Sequence, residues 1–239
     1  MQTERLYNLI QDPLYYVTLI FFVLVITLPA ALIGQPTFLQ IAQGVSLAVF
    51  AGLAGRRGTL RQTLTVAGLW LAIQFVLMVV LTWLLPTRLD LAFANGFNLR
   101  TAYLQGFYTG QDLPRSLAVA PVSVLVEVAG VTLGSLATGG LIGAVFLARA
   151  VNFAAFGMGG LLAAGVGIVA ALPIWTLLKL AGYVGFFALL SRPLLTGTLS
   201  SSGLLGQNRR PLIFSAGLLS AGLLLELVLP NFWSHWFAP

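Results

Sequence analysis

The chain has no cysteine, a single histidine and only six acidic residues among 239. Without cysteine there can be no disulfide, thiolate metal site, iron–sulfur cluster or thiol nucleophile. The one histidine, His235, sits close to the C-terminal end of the sequence. It excludes bis-histidine haem ligation and a histidine-rich metal site contributed by one chain. The aspartates, Asp12, Asp90 and Asp112, are too scattered for a paired-carboxylate motif. No HExxH, GxSxG or phosphate-loop string is present, so the sequence offers no catalytic motif and any ATP-driven action needs a separate subunit. Cofactors cannot be assigned.

Charge as a whole is scarce. Charged residues make up 8% of the chain, against about 25% in ordinary soluble domains. That leaves too little polar surface for a water-soluble fold. The net charge of +6 raises nucleic acid as a partner, but twelve dispersed basic residues form no patch. A basic excess in so apolar a chain reads as membrane topology, and no nucleic-acid partner is expected. Eleven of the twelve basic residues are arginine, and alanine, leucine and glycine abound. Such usage suits a bacterial protein from a GC-rich genome.

Apolar sequence fills the space that charge leaves. The chain is 59% hydrophobic with a mean hydropathy of +0.97. A bilayer crossing needs about 20 apolar residues, and seven stretches qualify: 14–34, 38–55, 63–85, 116–137, 150–170, 172–191 and 212–230. These predict an all-α integral membrane bundle of about seven transmembrane helices, forming a single polytopic domain. The opening MQTERLYNLIQDP carries Glu4 and Asp12 and lacks a basic n-region, so the first stretch is expected to remain a span. Residues 86–115 form one long extracytoplasmic loop, dotted with Phe93, Phe97, Tyr103, Phe107 and Tyr108. They suit either short amphipathic helices at the headgroup level or a loop folded over the helix ends. The tail, PNFWSHWF, has the composition of an interfacial aromatic belt.

Arginine placement sets the expected orientation. Arg56, Arg57 and Arg61 fill one loop without an acid, and Arg192, Arg209 and Arg210 fill the Ser/Gly-rich segment after the sixth span. With Arg149 placed between the fourth and fifth spans, all serve as cytoplasmic topology anchors under the positive-inside rule. The N-terminus is then cytoplasmic and the C-terminus outside, in a bacterial cytoplasmic membrane.

Four ionisable groups fall within or beside the apolar stretches: Glu127, Arg149, Lys179 and Glu226. An ionisable residue inside a bilayer is expensive and marks a candidate site. Glu127 falls about 16 Å into the fourth stretch at 1.5 Å per residue, near mid-bilayer. Helical spacing places Ser123, Glu127, Gly130 and Gly134 on one face, and Gly130–Gly134 forms a small-residue pair that lets helices approach. Lys179 lies between Trp175 and Tyr183 on its helix face and can pair with Glu226 or Glu127. The candidate intramembrane polar site is therefore Glu127, Lys179, Ser123 and Glu226. Its functional reading is a proton- or cation-responsive site; its structural reading is carboxylates and lysine that pair or snorkel. Gly130, Gly134, Gly139 and Gly143 are expected to mediate helix packing.

Two roles follow from these features. One is a permease-like or transport-associated component without its own ATPase. The other is a non-catalytic structural or assembly subunit that binds other membrane subunits, lipid or pigment through its small-residue faces and aromatic outer loop. The lipid bilayer is a partner in both.

Overall fold

The computed structural model describes residues 10, 12–197 and 209–237. The sequence-based reading of residues 1–9, and of the Ser/Gly-rich stretch 198–208, lies outside them. Seven long helices account for most of the chain: α1 (Pro13–Ile33), α2 (Pro36–Arg57), α3 (Leu60–Leu84), α6 (Pro121–Thr138), α7 (Leu141–Ala163), α9 (Ile174–Thr196) and α10 (Arg209–Val228). Each is long and apolar enough to cross a membrane. Four shorter helices cap one end: α4 (Pro86–Asp90), α5 (Gly96–Thr109), α8 (Ile168–Ala171) and α11 (Pro230–Phe237). No strand occurs among the described residues. The protein is an all-α, seven-helix membrane bundle.

Local chemistry sets many of the helix starts. Prolines open α1, α2, α4 and α6, where the missing N–H costs nothing and φ is already helical. Asp12 caps α1 by accepting a hydrogen bond from the Leu14 N–H at 2.8 Å. Thr59 and Gln62 form a reciprocal capping box at the start of α3, satisfying two otherwise orphaned donors. Between α6 and α7 the chain reverses in two residues, Gly139 and Gly140, with φ of +62° and +102°. That left-handed backbone favours glycine, and it makes α6 and α7 an antiparallel hairpin.

Helix α7 is the hub. It touches α2, α3, α6 and α9, while α10 packs chiefly on α9. The α6–α7 seam is closed by glycine: a Cβ on Gly130 would collide with the Phe146 ring, and one on Gly134 would come within 2.6 Å of Ile142. Large apolar side chains such as Phe21, Val122, Leu133, Phe214 and Leu224 face outward, as lipid-facing positions should.

The two ends differ in chemistry. At one, Arg192 donates to the Gly58 carbonyl at 3.1 Å, bringing the α2–α3 turn beside the end of α9. Arg56, Arg57, Arg61, Arg192, Arg209 and Arg210 all belong to this arginine end. The opposite, loop end carries α4, α5, α8 and α11. There Arg100 grips Asp90 with two hydrogen bonds, of 3.0 and 2.7 Å, tying α5 to α4. The carboxylate holds the Arg100 guanidinium pKa above its usual value. Phe93, Tyr103 and Phe107 of this segment are buried, while Phe97 and Tyr108 are exposed.

A closed polar ring crosses the bundle. Gln43 donates to Thr27 at 3.2 Å, Thr27 donates to Gln74 at 2.7 Å, and Gln74 donates to Asn152 at 3.0 Å. Asn152 closes the circuit by donating to Gln43. All four side chains are fully buried, and the ring joins α1, α2, α3 and α7. Two apolar clusters, one toward each end, meet at this level. Each ring member thus replaces one core residue and has its hydrogen bonds returned by its two neighbours in the ring.

Three sequence-based placements need correction. The fourth span begins at Pro121 rather than 116, because residues 113–120 form turns with hydrogen bonds from Ser116 N to Leu113 O and Ala120 N to Ser116 O. Glu127 is therefore only about 9 Å from the start of its helix, rather than about 16 Å as expected. Residues 138–149, read from the sequence as a connector or a helix extension, are the last residue of α6, the glycine turn and the first turns of α7 from Leu141. The glycine reversal precedes them, which puts Arg149 inside a helix and not at a cytoplasmic edge.

Candidate functional site

Helices α6, α9 and α10 each bring one charge to the loop end. Glu127 lies about two turns from the start of α6 and Lys179 about one and a half from the start of α9. Glu226 is in the last turn of α10. The chain directions, alternating through the bundle, place all three at the same depth. A fourth charge comes from outside the helices. Arg115, in the turn before α6, donates to Glu127 through a single hydrogen bond of 3.0 Å.

The result is two ion pairs around one pocket. Arg115 pairs with Glu127, and Lys179 pairs with Glu226. Glu226 is the most enclosed, with a side chain 3% exposed against 13% for Glu127. Its second oxygen accepts from the Leu117 N–H at 3.4 Å, which ties the pre-α6 turn to α10. All four charged groups line a pocket of about 90 Å³, room for several water molecules. The pair Lys179–Glu226 draws α9 and α10 together, and Gly222 allows the approach, since a Cβ there would lie 2.8 Å from the Lys179 backbone nitrogen.

Aromatic and apolar groups form the remaining walls. The Arg115 guanidinium lies 3.7 Å from the centre of the Phe153 ring, a cation–π contact that steadies its plane. Arg149, one turn earlier on α7, lies 5.7 Å from the same ring. Arg149 has no carboxylate within ion-pair distance among the described residues, yet it feels both Arg115 and Glu127 electrostatically. Tyr103 of α5 also faces the pocket. Burial pushes its phenol pKa well above the usual tyrosine value, so it stays a neutral hydrogen-bond group at physiological pH.

Two further donors face the pocket with their hydrogen-bonding capacity unused. The Trp175 indole N–H is buried and has no partner, and the Tyr183 hydroxyl turns toward Glu127 without reaching hydrogen-bond geometry. Buried donors are almost always satisfied. Above the pocket, Trp233 of α11 stacks edge-on against Trp175 at 5.5 Å and donates to the Ala170 carbonyl at 2.8 Å. Helices α8 and α11 are thereby clasped across its mouth.

The structure thus brings Glu127, Lys179 and Glu226 together, while Ser123 does not line the pocket. Gly130, Gly134 and Gly143 lie in the α6–α7 seam, and Gly139 is in the turn. Sequence reasoning missed Arg115, which sits among loop residues; its only signal was being the last cation before a span with a lone acid. It also missed the ring of Thr27, Gln43, Gln74 and Asn152, although two glutamines inside apolar spans were visible. No metal-binding cluster occurs among the described residues. No protein-family model matches the chain, and neither a curated protein nor a solved structure does.

Proposed function

We propose that the protein is a permease-like membrane component that receives a small solute in the loop-end pocket. One observation carries this reading: two ion pairs and two unsatisfied aromatic donors converge on open volume rather than on a sealed core. Ion pairs that served only to cement helices would gain most from being packed tight. Polar groups converging on a cavity with apolar walls are what a binding site requires.

The orientation belongs to the same proposal. Six arginines with no acid in their two connecting loops make the arginine end cytoplasmic by the positive-inside rule, in a bacterial cytoplasmic membrane. The N-terminus is then cytoplasmic, and the pocket opens outward. The rival role, a structural or assembly subunit, drew on free small-residue faces. Gly130 and Gly134 are covered by the protein's own α7, which leaves that role the aromatic outer loop, where Phe97 and Tyr108 are exposed.

The test is uptake into proteoliposomes across a panel of radiolabelled organic acids, amino acids and nucleosides. At least one solute should accumulate above empty liposomes, and Glu127→Gln should reduce that flux tenfold or more in protein that remains folded. Equal flux in Glu127→Gln would contradict the proposal, as would no uptake of any solute.

A further inference from the structure

The charges that line the pocket cancel. Arg115 and Lys179 supply two cations, Glu127 and Glu226 supply two carboxylates, and each carboxylate is paired with one cation. A solute with a net charge would enter without a counter-ion, and a buried charge left uncompensated is costly. A zwitterion likewise finds no charge in the lining unpaired. What the walls leave open is hydrogen bonding without charge. We infer that the pocket binds an uncharged solute with a short apolar body, its hydrogen-bond acceptor held by the indole N–H of Trp175. This rests on the pocket being a ligand site, as proposed above, and adds the chemical class of the ligand.

Helix α9 sets up that contact. Trp175, Lys179 and Tyr183 recur at every fourth residue, so they share one face, and all three line the pocket. Lys179, in the middle, is taken by Glu226. The aromatic groups on either side of it are not taken. Trp175 is 1% exposed, and its N–H, which can only donate, has no acceptor among the described residues. Tyr183 is 2% exposed, and its hydroxyl, beside Glu127, has no hydrogen-bond partner among them either. Leaving a buried donor unmet is unfavourable, and an acceptor on the solute relieves it. Trp233, across the mouth, already spends its own N–H on the Ala170 carbonyl, so Trp175 is the indole left to bind. The remaining lining includes Phe107, Met158, Leu161 and Leu172, an apolar wall suited to the body of the solute. A cavity of about 90 Å³ limits that body to a short chain.

Trp175 and Trp233 line the site, so tryptophan emission reports on it, and aliphatic probes do not absorb where tryptophan does. The protein is placed in phosphatidylcholine nanodiscs at neutral pH and titrated with butyramide, butyrate, butylammonium and 2-aminobutyrate. These put an uncharged, anionic, cationic or zwitterionic head on a short aliphatic chain. Butyramide should shift the emission saturably and bind at least tenfold tighter than the other three. Trp175→Phe keeps a ring in place and removes the N–H. With Trp233 as reporter, it should weaken butyramide about tenfold, the order expected for one hydrogen bond. Butyramide binding to folded Trp175→Phe as tightly as to the unaltered protein would overturn the role given to the indole. Tighter or equal binding of a charged or zwitterionic probe would overturn the uncharged preference and leave the pocket as a ligand site. No saturable response to any of the four in folded protein would overturn the inference and the pocket reading together.

Discussion

At the scale of single residues, Glu226 is the side chain most dependent on its neighbour. Its carboxylate is 97% enclosed and satisfied by Lys179 and the Leu117 N–H. Removing one member of a buried pair strands the other charge, at a cost of about 3–5 kcal/mol. Lys179→Met should therefore lower stability by roughly that amount in a detergent unfolding titration. The double change Lys179→Met with Glu226→Leu should recover most of it, because no charge is then left alone. If the double variant is as unstable as the single one, the pair is not what ties α9 to α10. Arg115→Gln should cost less than Lys179→Met, since Glu127 is more exposed and keeps access to water in the pocket. These side chains were only half legible in advance. An acid or lysine inside an apolar run is conspicuous, so Glu127, Lys179 and Glu226 stood out. Arg115 did not, because arginine is ordinary in a polar loop, and the ring did not, because sequence spacing does not show that Thr27, Gln43, Gln74 and Asn152 meet across four helices.

Among the helices, the α6–α7 hairpin and the polar ring hold the bundle in register. Gly130→Leu should force α6 off α7, because the Phe146 ring occupies the space; overpacking of this kind costs about 1–3 kcal/mol. Thermal unfolding in mild detergent would show it, and an unchanged midpoint would mean the seam can open without penalty. Gln74→Leu takes the acceptor from the Thr27 hydroxyl and the donor from the Asn152 carbonyl at once, and a buried polar group left unsatisfied costs about 1–3 kcal/mol. Ring variants should lower stability without altering ligand preference, since none of the four side chains lines the pocket. Hydropathy located all seven long helices but blurred their ends. A window of apolar residues does not register a two-glycine reversal or the turns of 113–120. Those two details moved Arg149 into a helix and Glu127 closer to the start of its own.

For the whole molecule, the asymmetry between the ends is the organising fact. Six arginines gather at one end, with Asp12 at the start of α1, and the short helices, aromatic groups and pocket gather at the other. A reporter fused at residue 60 should be active on the cytoplasmic side and one at residue 105 on the opposite side; the reverse pattern would overturn the orientation proposed for the protein. The fold class could be read from composition and hydropathy, because the bilayer restricts a chain this apolar to few architectures. The pocket could not, since its four charges come from four separate segments that only the helix packing brings together. Its standing as a functional site, rather than a gap beside two ion pairs, is tested most directly by filling it. Ala154 of α7 lines the pocket without carrying any of its charges, so Ala154→Phe occupies the volume and leaves both pairs in place. In proteoliposomes, for the solute whose uptake depends on Glu127, the account predicts at least a tenfold loss of flux in Ala154→Phe with the fold retained. Undiminished uptake by the folded, filled variant would contradict it.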